Sequence, residues 1–567
     1  MSSLISALDS HTPSQIGENG SVEYTWSNDI RERIVQLSFQ LTRTKEYSKL
    51  SETVHQLLTD LTRKNAGGFL SREVYKALMS LLYRMIGHTR DLLEGKGEYT
   101  LSYMLLCEWE KVNPSLAAFA FKHFLLAPES TTDFHPYGSW KDIKYLYNYN
   151  HESSLVEYGI GLLVQQLRAD EVAEKPTLAA KWTPRQKSKY GDLFTRIAIR
   201  YYPQYFATAK TDIAKEKAML KAKTEFRKLL SKLNAKLDTV QIKQCDGRWA
   251  EIEPTKQTSI TMHKQKKAFL NLDKKGEQRS QLDDRIICAQ NFSAMAQKAA
   301  AGEVTIKGQR VGLNDFTAEA IKLINDRALQ KNEDEINILN AQWLDNSKQT
   351  GALGKVVVMV DVSGSMDGDP LHAAIALGIR IAEKSKLGKR VLTFSASPKW
   401  ANLDGYDTFV EMVQVLKRAE WGMNTNFYAA MKLILDAIIS NKLTPEDVED
   451  MVLAILSDMQ IDQADDKGLT MMESIEKLYA EAGEKVWGRP FKAPHILFWN
   501  LRSTTGFPTL STQQNCSMMS GFSPALLNLF CEEGLESLQT CTPWSLLVKS
   551  LDNERYSALG KYIDEVL

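Results

Sequence analysis

An excess of charge of either sign is missing: 70 Lys+Arg face 70 Asp+Glu in 567 residues. Bulk charge therefore excludes neither a nucleic acid nor an acidic protein as a partner, and only its distribution is informative. Cysteines are few. Cys107, Cys245, Cys288, Cys516, Cys531 and Cys541 show no CxxC spacing. This speaks against a zinc site and leaves reduced thiols of an intracellular protein as the expectation. No apolar run approaches the roughly 20 residues that cross a bilayer. The opening MSSLISALDSHTPSQ lacks a basic start followed by an apolar core, so no secretory leader is expected. Missing too are GxxxxGK[ST], HExxH, GxSxG and any Cys–His pairing of recognisable spacing. The nine histidines are scattered, and His372 is expected to serve the helix in which it sits. The expectation is a non-enzymatic cytoplasmic protein, with a nuclear location as the alternative.

Apolar residues at 43% and charged residues at 25% are ordinary for a globular chain, and the length calls for two or more domains. Residues 1–24, rich in Ser, Gly and Asn, are expected to be a loose arm. From Ser27 a helical period begins, with Ile30, Ile34, Leu37 and Leu41 on one face. Helix follows helix to about residue 350, without alternating runs, which predicts an all-α region over 25–350 built of paired helices, as in a solenoid whose repeat is degenerate. In HPYGSWKDIKYLYNY, Trp140, Ile143 and Leu146 share one face, while Lys141 and Asp142 are expected to point elsewhere. Residues 331–351 read as a polar connection with one amphipathic turn around Ile336 to Trp343.

After 351 strands and helices alternate. Strands are expected at 355–361, 390–396, 451–458 and 495–501, with a weaker one in CSMMSGF, and helices at 370–386, 407–418, 426–440, 468–482, 524–533, 543–551 and 553–565. This pattern predicts a doubly wound α/β domain over 351–567. Its first strand, KVVVMVD, opens into Asp361-Val-Ser363-Gly-Ser365. Such sheets bind ligands at their carboxyl edge. Thr425, ahead of the helix at 426–440, and Asp458, at the end of the third strand, are expected at the same edge. Two carboxylates and three hydroxyls form an oxygen-only set, suited to Mg²⁺ with Mn²⁺ or Ca²⁺ as alternatives. A cation with few anionic ligands accepts a further oxygen from a partner. A two-metal nuclease would gather more carboxylates, and only Asp367, Asp369 and Asp462 lie near in sequence.

A second signal lies in the helical half. Residues 186–285 hold 23 Lys+Arg against 12 Asp+Glu, a basic block inside a neutral chain. LAAKWTPRQKSKYGDLFTRIAIRYYP interleaves Trp182, Tyr190, Tyr201 and Tyr202 with Lys181, Arg185, Lys187, Lys189, Arg196 and Arg200. The next helix, 212–236, buries a stripe of Met219, Phe226, Leu229, Leu230 and Leu233 and leaves Lys221, Arg227, Lys228 and Lys232 for the outside. Aromatics for stacking and cations for phosphate suit nucleic acid; snorkelling lysines on ordinary amphipathic helices are the alternative.

The order D-x-S-x-S, Thr, Asp resembles the metal-ion-dependent adhesion site of von Willebrand factor A domains. The whole arrangement, with YGSWKD, LAAKWTPR, DVSGSM, ILFWNL and SGFSPALL, resembles the TROVE-module proteins (the Ro autoantigen and its bacterial relatives), and more closely an uncharacterised family of plants, fungi and large DNA viruses. The resemblance implies Mg²⁺-assisted binding of an acidic protein partner at Asp361, Ser363, Ser365, Thr425 and Asp458. It also implies a ring of HEAT-like helices that binds small structured or misfolded RNA in a ribonucleoprotein, with the basic block as its RNA surface. Asn426 stands where Ro-like domains tend to carry an acid. The alternative is a metal-dependent interaction scaffold, structural or virion-associated, that binds no RNA.

Overall fold

The computed structural model describes residues 12–44, 46–127, 135–325, 333–395, 397–418, 426–449, 451–460, 469–531 and 535–567. Helices fill the first part: α1 (Ile30–Gln40), α2 (Ser48–Ala66), α3 (Arg72–Arg90), α4 (Tyr99–Val112), α5 (Pro114–Leu125), α6 (Lys141–Tyr149), α7 (Ser154–Val172), α8 (Gly191–Tyr201), α9 (Asp212–Leu237), α10 (Ser259–Phe269), α11 (Asp283–Ala300), α12 (Leu313–Asn325) and α13 (Glu333–Ser347). Side-chain caps set several of their starts. Asp29 accepts from the Glu32 amide, Ser71 from Val74, and Asn113 from Ser115 and Leu116 just ahead of Pro114, each satisfying an amide the helix itself leaves open.

Residues 12–24, expected as part of a loose arm, are ordered. Strands β1 (Ser14–Ile16) and β2 (Val22–Tyr24) pair antiparallel. Tyr24 and Phe507 then exchange backbone hydrogen bonds at 2.9 and 3.1 Å. The ladder partner lies almost five hundred residues away, which is why composition alone suggested an arm.

The second part is an α/β unit. A six-stranded sheet runs in the order β5-β4-β3-β6-β7-β8, formed by β3 (Val356–Asp361), β4 (Arg390–Phe394), β5 (Lys399–Asn402), β6 (Val452–Ser457), β7 (His495–Asn500) and β8 (Cys516–Ser520). All pairings are parallel except that of β4 with the edge strand β5. The helices are α14 (Asp369–Lys384), α15 (Phe409–Lys417), α16 (Phe427–Asn441), α17 (Met471–Trp487), α18 (Pro543–Leu551) and α19 (Ser557–Val566). The expected helix at 524–533 is a 3₁₀ turn, Pro524–Leu527, with one short helix, Asn528–Cys531. The edge strand β5 was not legible, because four residues with largely exposed side chains carry no alternating pattern.

The side chains of β3 divide between the two faces of the sheet. Val358 and Val360 join Val391, Leu456, Leu371 and Ile375 on one side. Met359 joins Leu392, Ile455, Met431 and Ile475 on the other. Each such burial contributes roughly 1.5–3 kcal/mol against leaving the side chain in water.

The cores do not respect a boundary at 350. Phe316 of α12 and Trp343 of α13 pack with Phe409 and the α14 face of the sheet. The polar connection expected over 331–351 is thus largely a 15-residue helix covering the α/β unit. Ile338, Leu339 and Trp343 are its buried stripe; the acids of its first turn masked that period. In the other direction, Leu551, Tyr556, Leu559 and Ile563 sit in one core with Leu82, Phe121 and Phe124. Lys96 joins the parts through Nζ–H bonds to the Ser38 and Leu41 carbonyls (2.6 and 3.0 Å) and to Ser520 Oγ (2.6 Å).

The phrase YGSWKD resolves into a buried polar knot. Asp142 does not point away from the core, as its place on α6 suggested. It is fully buried and accepts from Arg90 Nε (2.6 Å), Arg90 Nη2 (2.8 Å), Tyr103 Oη (2.6 Å) and the Ser139 amide (2.8 Å). A Cβ on Gly138 would stand 2.5 Å from the Asp142 carboxylate, so this close approach requires glycine.

Candidate functional site

The parallel strands run β4-β3-β6-β7-β8, so the chain leaves β3 to both sides and the order reverses between β3 and β6. Crevices at such reversals, outside the carboxyl ends of the strands, are where open α/β sheets hold ligands. Asp361 ends β3, and Asp458 follows Ser457 at the end of β6. Register pairs Val360 with Leu456, which brings the two carboxylates to this reversal.

Both carboxylates are fully buried. Asp361 Oδ2 accepts from Ser457 Oγ at 2.6 Å, and Oδ1 accepts from the Ser363 amide at 2.9 Å. Ser363 Oγ and Ser365 Oγ lie 3.1 Å apart. Asp458 Oδ1 accepts from the Gln460 amide at 3.1 Å. Arg502 Nη1 donates to Asp458 Oδ2 at 3.2 Å and to the Ser365 carbonyl at 3.1 Å. Burial, and then the charge of Asp458, push Asp361 up to about 7. Burial likewise raises Asp458, against the pull of its hydrogen bonds and of Arg502.

Thr425 lies outside the described residues, as does Asp462. Asn426 caps α16, its Oδ1 accepting from the Ala429 amide at 2.9 Å. Among the described residues no three His, Cys, Asp or Glu side chains gather as a metal-binding group. The donor set is therefore two carboxylates and serine hydroxyls, all oxygen and with limited charge. That chemistry fits Mg²⁺, which takes one or two carboxylates and keeps water for the rest. Two buried carboxylates that repel each other are what a divalent ion would neutralise.

The site has neighbours on the helical side. Arg43 bridges Glu98 and Asp369, the first residue of α14, both at 3.0 Å. The β1–β2 hairpin tip reaches the same rim, where Asn19 Nδ2 donates to the Gln460 carbonyl at 2.8 Å and the Glu18 amide to Gln460 Oε1 at 3.2 Å.

The basic block separates into spent and free cations. Arg196 is tied to Glu157 (2.9 and 2.5 Å), and Lys228 to Glu225 at 3.0 Å. Lys187, Lys189, Arg200, Lys221, Arg227 and Lys232 are exposed, as is Arg185, and Lys181 is half-buried. Among the described residues, none of these eight has a carboxylate within ion-pair distance. Lys221 Nζ stands 4.3 Å over the Tyr205 ring, which stacks on Tyr202 at 5.3 Å. The stripe expected on α9 is buried at Phe226, Leu229, Leu230 and Leu233, and Met219 is half-buried.

Two family profiles match the chain. One domain of unknown function, DUF2828, is matched by residues 162–353, and a second, DUF7788, by residues 355–555. The chain is also 26% identical over 506 residues to "Uncharacterized protein L728" of Acanthamoeba polyphaga mimivirus, across 84% of this chain and 79% of the viral one. The similarity to DUF7788 takes in Asp361, Ser363, Ser365 and Asp458; that to DUF2828 takes in Trp182 and the basic block.

Reasoning from the sequence missed Ser457, Gln460 and Arg502 at the sheet edge, and Lys141 and Lys144 beside the basic block. Ser457 had a signal, since it precedes Asp458 at the end of an apolar strand. Arg502 also had one, a lone cation two residues past β7 on the same edge. The two lysines had none, because they come from α6, an element that only the tertiary fold brings to Trp182.

Proposed function

We propose that this chain is a non-enzymatic RNA-binding protein of Ro-like type. Its helical half, read as HEAT-like pairs, binds structured or misfolded RNA. Its α/β unit, read as a von Willebrand factor A domain, captures an acidic side chain of a protein partner through Mg²⁺ held by Asp361, Ser363, Ser365 and Asp458, with Thr425 as the expected fifth ligand. The cytoplasm is the proposed location; among the described residues no helix is long and apolar enough to cross a membrane.

The observation that carries the RNA reading is the set of cations without acid partners on 181–232, interleaved with Trp182, Tyr202 and Tyr205. A face needed only for solubility intersperses acids among its lysines. The test is binding of a structured RNA by fluorescence anisotropy at several salt concentrations. Affinity is expected to fall steeply with salt, because phosphate contacts release counterions. Salt-insensitive binding, or none, overturns this reading.

The metal-dependent scaffold without RNA binding is favoured by one observation of its own, the two buried carboxylates at the sheet reversal. It predicts partner capture that EDTA and Asp361→Ala abolish while RNA binding is absent throughout.

A further inference from the structure

Three ammonium groups converge on one indole. Nζ of Lys141 lies 4.0 Å, Nζ of Lys181 5.2 Å and Nζ of Lys144 5.4 Å from the centre of the Trp182 ring. Lys141 and Lys144 come from α6, and Lys181 from the short helical turn Ala179–Trp182. More positive charge presses in from the sides. Lys264 of α10 repels Lys141, and Arg185 repels Lys144. Burial comes first and this crowding second in pushing Lys141 and Lys144 below the usual lysine range; burial also lowers Lys181 and Arg185.

Acids compensate only in part: Asp142 offsets some of the repulsion on Lys141, and Lys264 acts on Asp315. None of these five cations has a carboxylate within ion-pair distance among the described residues. The acid next to Lys141 in sequence, Asp142, is buried and spent on Arg90 and Tyr103. The indole face is a weak substitute, worth about 0.5–2 kcal/mol per cation. Five like charges held together at their own expense mark a place where a ligand brings the negative charge.

The packing of that charge says which ligand. A nucleic-acid strand carries one phosphate per roughly 3.4 Å of rise, so a reader of strand backbone spreads its cations along a groove with one stacking ring per base. Here the cations crowd around a single ring. Such density suits several phosphates on one group beside one base.

We infer that the Trp182 cluster binds the polyphosphate group of a nucleotide, its base stacked on the indole. Two sources carry that chemistry, a free nucleoside triphosphate and the 5′-triphosphate end of an RNA. The second rests on the RNA-binding reading above; the first does not.

The experiment uses the full chain and two versions of one labelled hairpin RNA with a short unpaired 5′ tail, ending in a triphosphate or a hydroxyl. ATP is titrated separately, followed by quenching of Trp182 fluorescence against a Trp182→Phe control. The expected result is at least tenfold tighter binding of the triphosphate RNA. Lys141→Gln/Lys144→Gln erases that preference while leaving hydroxyl RNA bound and the melting temperature unchanged; Lys181→Gln/Arg185→Gln, on the face read as RNA-binding, erases the preference and weakens both RNAs. Competition by ATP for the end preference marks a shared site. Equal binding of the two RNAs, with no ATP response, overturns the inference and leaves the RNA reading standing. ATP binding without any RNA binding supports the inference with the free nucleotide as source, and overturns the RNA reading instead.

Discussion

Arg555 closes on Asp91 through two hydrogen bonds, Nε to Oδ2 at 2.6 Å and Nη2 to Oδ1 at 2.5 Å, both residues buried. The pair joins the start of the last helix to the end of α3 across 464 positions of sequence. Tyr137 Oη donates to the Arg555 carbonyl at 2.6 Å, and Tyr556 Oη donates to Asp91 at 3.2 Å. The C-terminal helices are thereby part of the helical half. Truncating one partner of a buried pair leaves the other charge uncompensated, at a cost of roughly 3–5 kcal/mol. Arg555→Ala is expected to lower the unfolding free energy of the whole chain, read from denaturant titration, by that amount; a loss under about 1 kcal/mol would show the pair to be dispensable.

Gly138 gives a sharper test of the YGSWKD knot. Its missing Cβ makes room for the Asp142 carboxylate and the Arg90 guanidinium, which a methyl group would meet at 2.5 and 2.7 Å. Gly138→Ala is expected to destabilise by more than 2 kcal/mol, since overpacking costs about 1–3 kcal/mol and a buried ion pair shifts as well. Thermal unfolding of this variant beside Ser139→Ala, expected to be near neutral, reads the effect.

At the sheet edge, Asp361 and Asp458 repel each other in a buried site. In EDTA, Asp361→Asn should therefore hold or raise the melting temperature, because it removes a buried charge. In millimolar Mg²⁺ the natural chain should melt several degrees higher, by mass action on the folded state, and the Asn variant should not. A Mg²⁺ response that survives the substitution places the cation elsewhere.

His88 supplies a pH dependence with a definite sign. Burial, helped by the charge of Lys96, lowers it from the usual 6.5 to about 3. The unfolded chain thus takes up a proton below pH 6.5 that the folded chain refuses until about pH 3. The stability is complete above pH 6.5 and drains away as pH falls from 6.5 toward 3. Urea midpoints at pH 7.5 and 4.5 should differ more for the natural chain than for His88→Gln.

On the basic face, Lys187→Gln/Lys189→Gln should weaken binding of every structured RNA to a similar extent. Each lost phosphate contact should reduce the slope of log affinity against log salt by about 0.7–0.9. Arg196→Gln, already paired with Glu157, should change that slope least.

Sequence periodicity carried most of the architecture. The apolar run of β3 with its polar turn, the 3.6-residue stripes of α1, α3 and α9, and the alternation after residue 351 follow from local chemistry, because each element buries a face set by its own period. Two of the five expected metal ligands, Asp361 and Asp458, were legible as strand ends. Elements too short to show a period, namely β1, β2 and β5, were not, and of α13 only the turn around Ile336 to Trp343 was. Nor were the partners of buried charge, since nothing in the local sequence pairs Asp142 with Arg90.

The sequence by itself determined the two kinds of layer and where they change, and it put aspartate, serine and arginine at the ends of strands. The tertiary structure alone decided that the two parts share cores through α12, α13, α18 and α19. It decided too that Arg502 would face Asp458 and that Lys141, Lys144 and Lys181 would surround Trp182. The reason is physical: burial and periodicity act within a segment, whereas the pairing of charges depends on which segments packing brings together.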